Sequence, residues 1–220
     1  LLPEAIISCY DSYDDSQLSH LLDWADVVCI GCGLGMGQIS EKILTYVLKN
    51  VSCPCVIDAD GLNLLSRNIE LLNQCCAPVI LTPHMKEMSR LTGWSIDKIM
   101  EDRFQALDQI IKQSGPDTKS SIICVLKDSR TVVAQTNRQR FVNLAGNNSM
   151  AKGGSGDVLA GTIAGLLAQH MAPFEATTVG VFLHACGGDE AKKSKGSYSV
   201  LARDLIQGMA DAMKNAKECR

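Results

Sequence analysis

The residues Gly153-Gly154-Ser155-Gly156-Asp157 stand directly ahead of a run of small and apolar residues, Val158 to Ala168. Such a run suits a buried helix, whose first turn carries N–H groups without intrahelical partners and the positive end of the helix dipole. Glycines at that turn let a phosphate come close to the backbone. A carboxylate there is a poor neighbour for a phosphate, since like charges repel. It is well placed to take a proton from an attacking hydroxyl while the amides hold the developing charge. The pattern points to phosphoryl transfer with Asp157 as general base. The plainer alternative is a helix start that Asp157 merely caps.

Two other glycine-rich stretches could hold phosphates. Gly31-Cys-Gly33-Leu-Gly35-Met-Gly37 follows a strand candidate and precedes a helix candidate. A dinucleotide fingerprint would need a third glycine at position 36, where Met36 stands. Asp58 and Asp60 fall at the distance of a ribose-binding acid, though Asp is equally common as a helix cap after a strand. The alternative is a flexible strand-to-helix turn, which can still line a ligand. Gly146–Gly153 carries Lys152, but it has Ala151 and Gly153 where a Walker A loop needs glycine and Ser or Thr.

Ten cysteines include the pairs Cys29/Cys32, Cys53/Cys55 and Cys75/Cys76. A zinc site could be drawn from four of them, but the Cys53-Pro-Cys55 gap is unlike the usual two-residue spacing. Several lie in apolar runs such as Val27–Ile30 and Ile122–Leu126, where a thiol behaves as a small hydrophobe. Buried, reduced, metal-free cysteines of a cytoplasmic protein are expected.

The elements that must position these residues follow from periodicity. Strands are expected at Asp26–Gly31, Pro54–Ile57, Pro78–Leu81 and Ser121–Leu126. Helices are expected at Gln38–Lys49, Leu62–Leu72, Lys86–Thr92 and Ile96–Gln113, the last with Ser95 as N-cap and Gly115–Pro116 as its stop. Continuous apolar strands joined by helices imply an α/β fold, a mostly parallel sheet covered on both faces. Thr131–Gln135 and Arg140–Asn143 read as a hairpin around Thr136–Asn137. Helices follow at Asp157–His170, Pro173–Lys192 and Ala202–Lys217. A chain of 220 residues fits one domain, 1–220, better than two. A net charge of −3 lacks the basic excess of a nucleic-acid binder. Val158–Ala168 is too short to span a bilayer, and no signal-peptide pattern opens the chain.

The chain resembles the NAD(P)H-hydrate dehydratases of the ribokinase-like superfamily. The resemblance runs through Ile30-Gly-Cys-Gly-Leu-Gly35, Val56-Ile-Asp-Ala-Asp-Gly-Leu-Asn63, Leu81-Thr-Pro-His-Met-Lys-Glu-Met88, Leu126-Lys127, Gly146 to Asp157 and Tyr198 to Asp204. It implies a ribokinase-like three-layer fold. The implied activity is nucleotide-dependent repair of NADH and NADPH whose nicotinamide ring has taken up water: a nucleotide phosphorylates the ring hydroxyl, and loss of phosphate restores the double bond. By the same resemblance Asp157 is the catalytic aspartate beside the hydrated ring. Lys127, Asp128, Ser129, Arg130 and Thr131 correspond to one nucleotide-binding segment. Asn147, Asn148, Ser149, Met150, Ala151, Lys152, Gly153, Gly154, Ser155 and Gly156 correspond to another. Gly33, Gly35, His84, Met85, Lys86, Glu87, Met88, Ser89 and Arg90 correspond, with Asp157, to the hydrated-cofactor pocket. His84 could instead simply start a helix, and Lys127 could be solvated surface.

ADP or ATP with Mg2+, a small-molecule substrate, a homo-oligomer, and neither nucleic acid nor membrane are the expected cofactors and partners; no resident metal is expected on the protein itself. Departures are Asp128 in place of a glycine, Asn148 and Ser149 in place of a Pro-Gly pair, and a start at Leu1-Leu-Pro-Glu4 where family members have already run through several dozen residues. The N-terminal part of the fold is therefore expected to be absent. Two other readings stand: a ribokinase-like kinase of a small alcohol such as a vitamin precursor, and a nucleotide-binding module made inactive by truncation.

Overall fold

The structure is a computed structural model that describes residues 4–10, 12–113, 121–136 and 139–218. Six strands form one sheet in sequential order: β1 (Val28–Ile30), β2 (Cys55–Ile57), β3 (Val79–Leu81), β4 (Ile122–Leu126), β5 (Val132–Gln135) and β6 (Arg140–Val142). The first four run parallel, and β4–β5–β6 are antiparallel. Every residue of β2, β3 and β4 is buried, as strands covered on both faces require.

Alternation along the strands divides the core. One face packs Ile57, Leu81, Cys124 and Leu126 against α2 (Gln38–Asn50), α3 (Asp60–Leu65), α4 (Met85–Thr92), α5 (Ile96–Glu101) and α6 (Arg103–Ile111). The other packs Val56, Ile80, Ile123, Val125 and Val133 against Leu159, Ala160, Ile163 and Leu167 of α7 (Ser155–Ala168) and Ala176 and Val181 of α8 (Pro173–Ser199). The helix α9 (Ala202–Glu218) packs along α8. This is the expected α/β architecture.

Several local expectations are corrected. A helix absent from the sequence reading, α1 (Asp15–Trp24), is capped by Asp14, whose carboxylate accepts from the Ser16 and Gln17 amides at 2.8 and 3.2 Å. The helix expected over 62–72 is α3 followed by a 3-10 segment, Ile69–Gln74. The helix expected over 96–113 breaks at Asp102, whose backbone (φ −142, ψ 86) leaves the helical region while its carboxylate caps α6 through the Gln105 amide at 2.9 Å. Ser95 caps α5 as expected; the Gly115–Pro116 stop and Asn137 lie outside the described residues. The helix expected over 173–192 extends to Ser199, with a break at Gly196.

Candidate active site

Parallel pairing brings the carboxyl ends of β1–β4 to one edge, where ligands of open α/β sheets bind. After β1, Gly31 (φ +119) turns the chain so tightly against β2 that a Cβ there would sit 1.9 Å from the Asp58 carbonyl oxygen, so only glycine fits. The following loop is tied down by side chains. Asp60 accepts from the Gly35 amide at 2.9 Å, and the Ser40 hydroxyl donates to the Leu34 carbonyl at 2.7 Å.

Asp58, 1% exposed at the end of β2, receives the Lys127 ammonium from the end of β4 at 2.7 Å. Burial of one partner gives this ion pair weight, because removing either charge would strand the other. The start of α7 lies over it. A Cβ on Gly156 would stand 3.2 Å from both Asp58 Oδ2 and Lys127 Nζ. Gly154 supplies the left-handed N-cap residue (φ +84), and no side chain caps the helix. Asp157 is therefore not the cap, which removes the plainer reading of this residue. It is exposed in the first turn of α7, with a carboxylate oxygen within 4.8 Å of a carboxylate oxygen of Asp58 and of Cys32 Sγ.

On the other side of the ion pair opens a cleft of about 990 Å³. Its lining holds Lys127, Asp128, Ser129, Arg130, Thr131, Asn147, Asn148, Met150, Ala151, Lys152, Gly153, Ser155 and Gly156, so the two proposed nucleotide segments meet although they are far apart in sequence. Ser149 is the exception: it is buried, and its amide and hydroxyl both bond to Asn147 Oδ1 at 3.0 and 2.5 Å. Gly154 acts as the helix cap. Asp128 is held by Arg103 at 2.7 Å, which offsets the extra negative charge it brings to the cleft.

Around the proposed substrate pocket the picture is mixed. His84 reaches the cleft and also starts α4: its Nδ1 accepts from the Lys86 and Glu87 amides at 3.1 and 3.2 Å, and the Glu87 carboxylate accepts from the His84 amide at 2.8 Å. His84 thus starts a helix, as one reading expected, and also lines the cleft. Burial pushes the Glu87 carboxyl up, against the lowering effect of that hydrogen bond. The side chains of the segment 85–90 point to different surroundings. Met88 is fully buried in the core, Met85 packs against it, and the Ser89 hydroxyl is spent on the Trp94 carbonyl at 2.5 Å. Lys86 is exposed, and Arg90 donates to Asn63 at 2.6 Å. Gly33 and Gly35 are exposed positions in the loop after β1.

Two residues escaped the sequence reading. Asp189 of α8 holds the 146–147 turn, accepting from the Gly146 amide at 3.0 Å and Asn147 Nδ2 at 2.7 Å. His184, buried on the same helix, lies 3.4 Å from the Ser155 hydroxyl and lines the cleft. Burial lowers its pKa to about 4, so the ring is neutral at pH 7. A single histidine in an otherwise apolar helical run gives no sign of a partner 29 residues away. The expectation of buried cysteines is also corrected: Cys9, Cys29, Cys32 and Cys76 are exposed, whereas Cys55, Cys75 and Cys124 belong to the core.

A parallel-edged sheet, a glycine-started helix over an Asp–Lys pair and an adjoining cleft define a ribokinase-like α/β domain. The comparisons narrow this. The NAD(P)H-hydrate dehydratase family model matches residues 1–210, and the chain belongs to that family. It is 38% identical over 216 residues to the ADP-dependent (S)-NAD(P)H-hydrate dehydratase of Neisseria meningitidis, covering 97% of this chain and 69% of that protein. It is 37% identical over 204 residues to the bifunctional NAD(P)H-hydrate repair enzyme Nnr of Moorella thermoacetica, covering 93% of this chain but 37% of that protein. The chain thus spans less than half of that bifunctional relative. Among solved structures, the ADP/ATP-dependent NAD(P)H-hydrate dehydratase of Bacillus subtilis, co-crystallised with ATP and Mg2+ and soaked with CoA, superposes with a TM-score of 0.76 at 29% identity, over 86% of this chain and 66% of that one. No helix among the described residues is long and apolar enough to cross a membrane.

Proposed function

We propose that the chain dehydrates hydrated NADH and NADPH at the expense of ADP or ATP, acting as one catalytic domain in the cytoplasm. The observation that carries this reading is the meeting of Asp157 and the Lys127–Asp58 pair at the glycine start of α7, between the cleft and the Gly33–Gly35 loop. A cleft of about 990 Å³ lies at the upper end of the range for small-molecule sites and fits a nucleotide. Its phosphates would meet the first-turn amides of α7 and the Lys127 ammonium. Among the described residues Asp128 is the one carboxylate in the cleft lining and is tied to Arg103, so Mg2+ would be held chiefly by phosphate oxygens and water.

Asp157 takes the proton of the ring hydroxyl as that oxygen attacks the terminal phosphoryl group and the rest of the nucleotide, AMP from ADP or ADP from ATP, leaves with the electrons of the broken P–O bond; the first-turn amides and Lys127 offset the charge that develops. The ring C–O bond then breaks, phosphate leaves with the electron pair, and loss of the neighbouring ring proton restores the double bond. Exposed Val179 and Phe182 on α8 favour assembly into a homo-oligomer, testable by light scattering.

The decisive assay supplies hydrated NADH with ADP or ATP. Nucleotide-dependent return of the dihydronicotinamide absorbance, with one phosphate released per turnover, is expected. A stable phosphorylated product would make the chain a small-alcohol kinase, and nucleotide affinity without turnover an inactive module.

A further inference from the structure

Cys29 and Cys32 have no place in the mechanism above, yet they stand beside its base. Cys32 Sγ and a carboxylate oxygen from each of Asp58 and Asp157 lie within 4.8 Å of one another. The Cys29 and Cys32 thiols are close enough to interact, as are the Cys32 thiol and Asp157. Cys29, Cys32 and Asp157 are exposed, so the group is open to solvent. Ligand–metal distances of about 2.3 Å for sulfur and about 2.1 Å for oxygen place neighbouring ligands of a tetrahedral ion roughly 3.5 Å apart. Small side-chain rotations would close the present cluster to that spacing. Lys127 holds Oδ1 of Asp58, and Oδ2 is the atom that faces Gly156 at the start of α7.

We propose that Cys32, Asp58 and Asp157, with Cys29 as fourth ligand at the Cys-x-x-Cys spacing, form a site for a thiophilic divalent cation, of which zinc is the type, and that its occupation blocks Asp157. This departs from the metal-free expectation at two of the ten cysteines. Thiolate ligands favour zinc over the hard Mg2+ that accompanies nucleotides. The Cys32 thiol is held protonated, its pKa raised first by the hydrogen bond it shares with Cys29 and then by burial and Asp157. Binding exchanges that proton for the metal, so affinity rises with pH. The blocking effect rests on the reading of Asp157 as the base; the binding does not.

Co2+, added to the whole chain kept reduced with a phosphine, reports the site by its sulfur-to-cobalt charge-transfer band in the near ultraviolet. The wild type is expected to show the band, to lose it on adding Zn2+ but not Mg2+, and to show more of it as pH rises. Cys32→Ala is expected to abolish it and Cys29→Ala to diminish it, with the melting temperature of both variants unchanged because both positions are exposed. Absence of the band in the wild type, or a band that survives Cys32→Ala, overturns the proposal. In the turnover assay, Zn2+ should inhibit the wild type and lose that effect in Cys32→Ala. Cobalt binding without zinc inhibition overturns the blocking role. A chain that never turns over refutes the activity while the cobalt band still decides the site.

Discussion

Two glycine-rich turns flank the same Asp58–Lys127 pair, and they are built in opposite ways. In the Gly31–Gly37 turn, Gly31, Gly33 and Gly35 all take positive φ, and two amides are engaged: Gly35 bonds to Asp60 and Leu34 to the Gly31 carbonyl. In the Gly153–Asp157 turn only Gly154 is left-handed, and the helix behind it starts without a side-chain cap. Glycine density is similar in both. Neither helix start has a side-chain cap, so what separates the turns is what surrounds them: the first is tethered to α3 through Asp60, whereas the second lines the cleft. The first is a tethered loop, and the second opens on the cleft proposed for the nucleotide.

The largest expected effect falls on the open turn. Asp157→Asn should lower turnover by about 10²–10⁴ while leaving nucleotide binding intact. Steady-state kinetics beside a thermal melt with nucleotide check this; turnover above half the wild-type value would take Asp157 out of the mechanism.

His184 supports the open turn through Ser155. Its folded pKa of about 4 lies below the unfolded value of about 6.5, so protonation favours unfolding. Its contribution is therefore complete above about pH 6.5 and is lost as pH falls toward 4. Between pH 7.5 and 5 this amounts to roughly 2 kcal/mol. Denaturant midpoints at the two pH values should show a loss of that order in the wild type and a smaller one in His184→Gln. Equal losses would mean that the ring is not held neutral.

The smallest effect belongs to the closed turn. Asp60→Ala releases the Gly35 amide and should cost about 1 kcal/mol of stability. An unchanged urea midpoint would show that the tether does not hold the loop.

Much of this was legible in the sequence where causes are local. The strands β2 to β4 are continuous apolar runs because both faces are covered, and the open turn declares itself through three glycines and Asp157 within five residues. Long-range pairings were not legible: the partner of Lys127 lies 69 residues away, and that of Asp189 is 42 residues away at Asn147. The helix α1 was missed because it buries no residue fully and its apolar stripe is short, Leu18 and Leu22 half-buried one turn apart against the core. Asp102 looked like an ordinary helical position, since a capping aspartate inside a periodic run resembles a surface one. The position of the left-handed residue was also hidden. The three glycines do not say which of them takes positive φ; the structure places it at Gly154 and gives Gly156 a different constraint, contact with the ion pair.

That constraint supplies the most direct test of the claim that α7 holds the phosphates: thermal melts of the wild type and Gly156→Val with ADP, ATP or NADH. A side chain at 156 would press on Asp58 and Lys127 and fill the approach to the first-turn amides. Nucleotide at about a hundred times its dissociation constant should stabilise the wild type by roughly 2.7 kcal/mol and Gly156→Val not at all, with NADH giving less than either nucleotide. A large shift with NADH and none with ADP or ATP would contradict the account and move the phosphates to the Gly31–Gly37 turn.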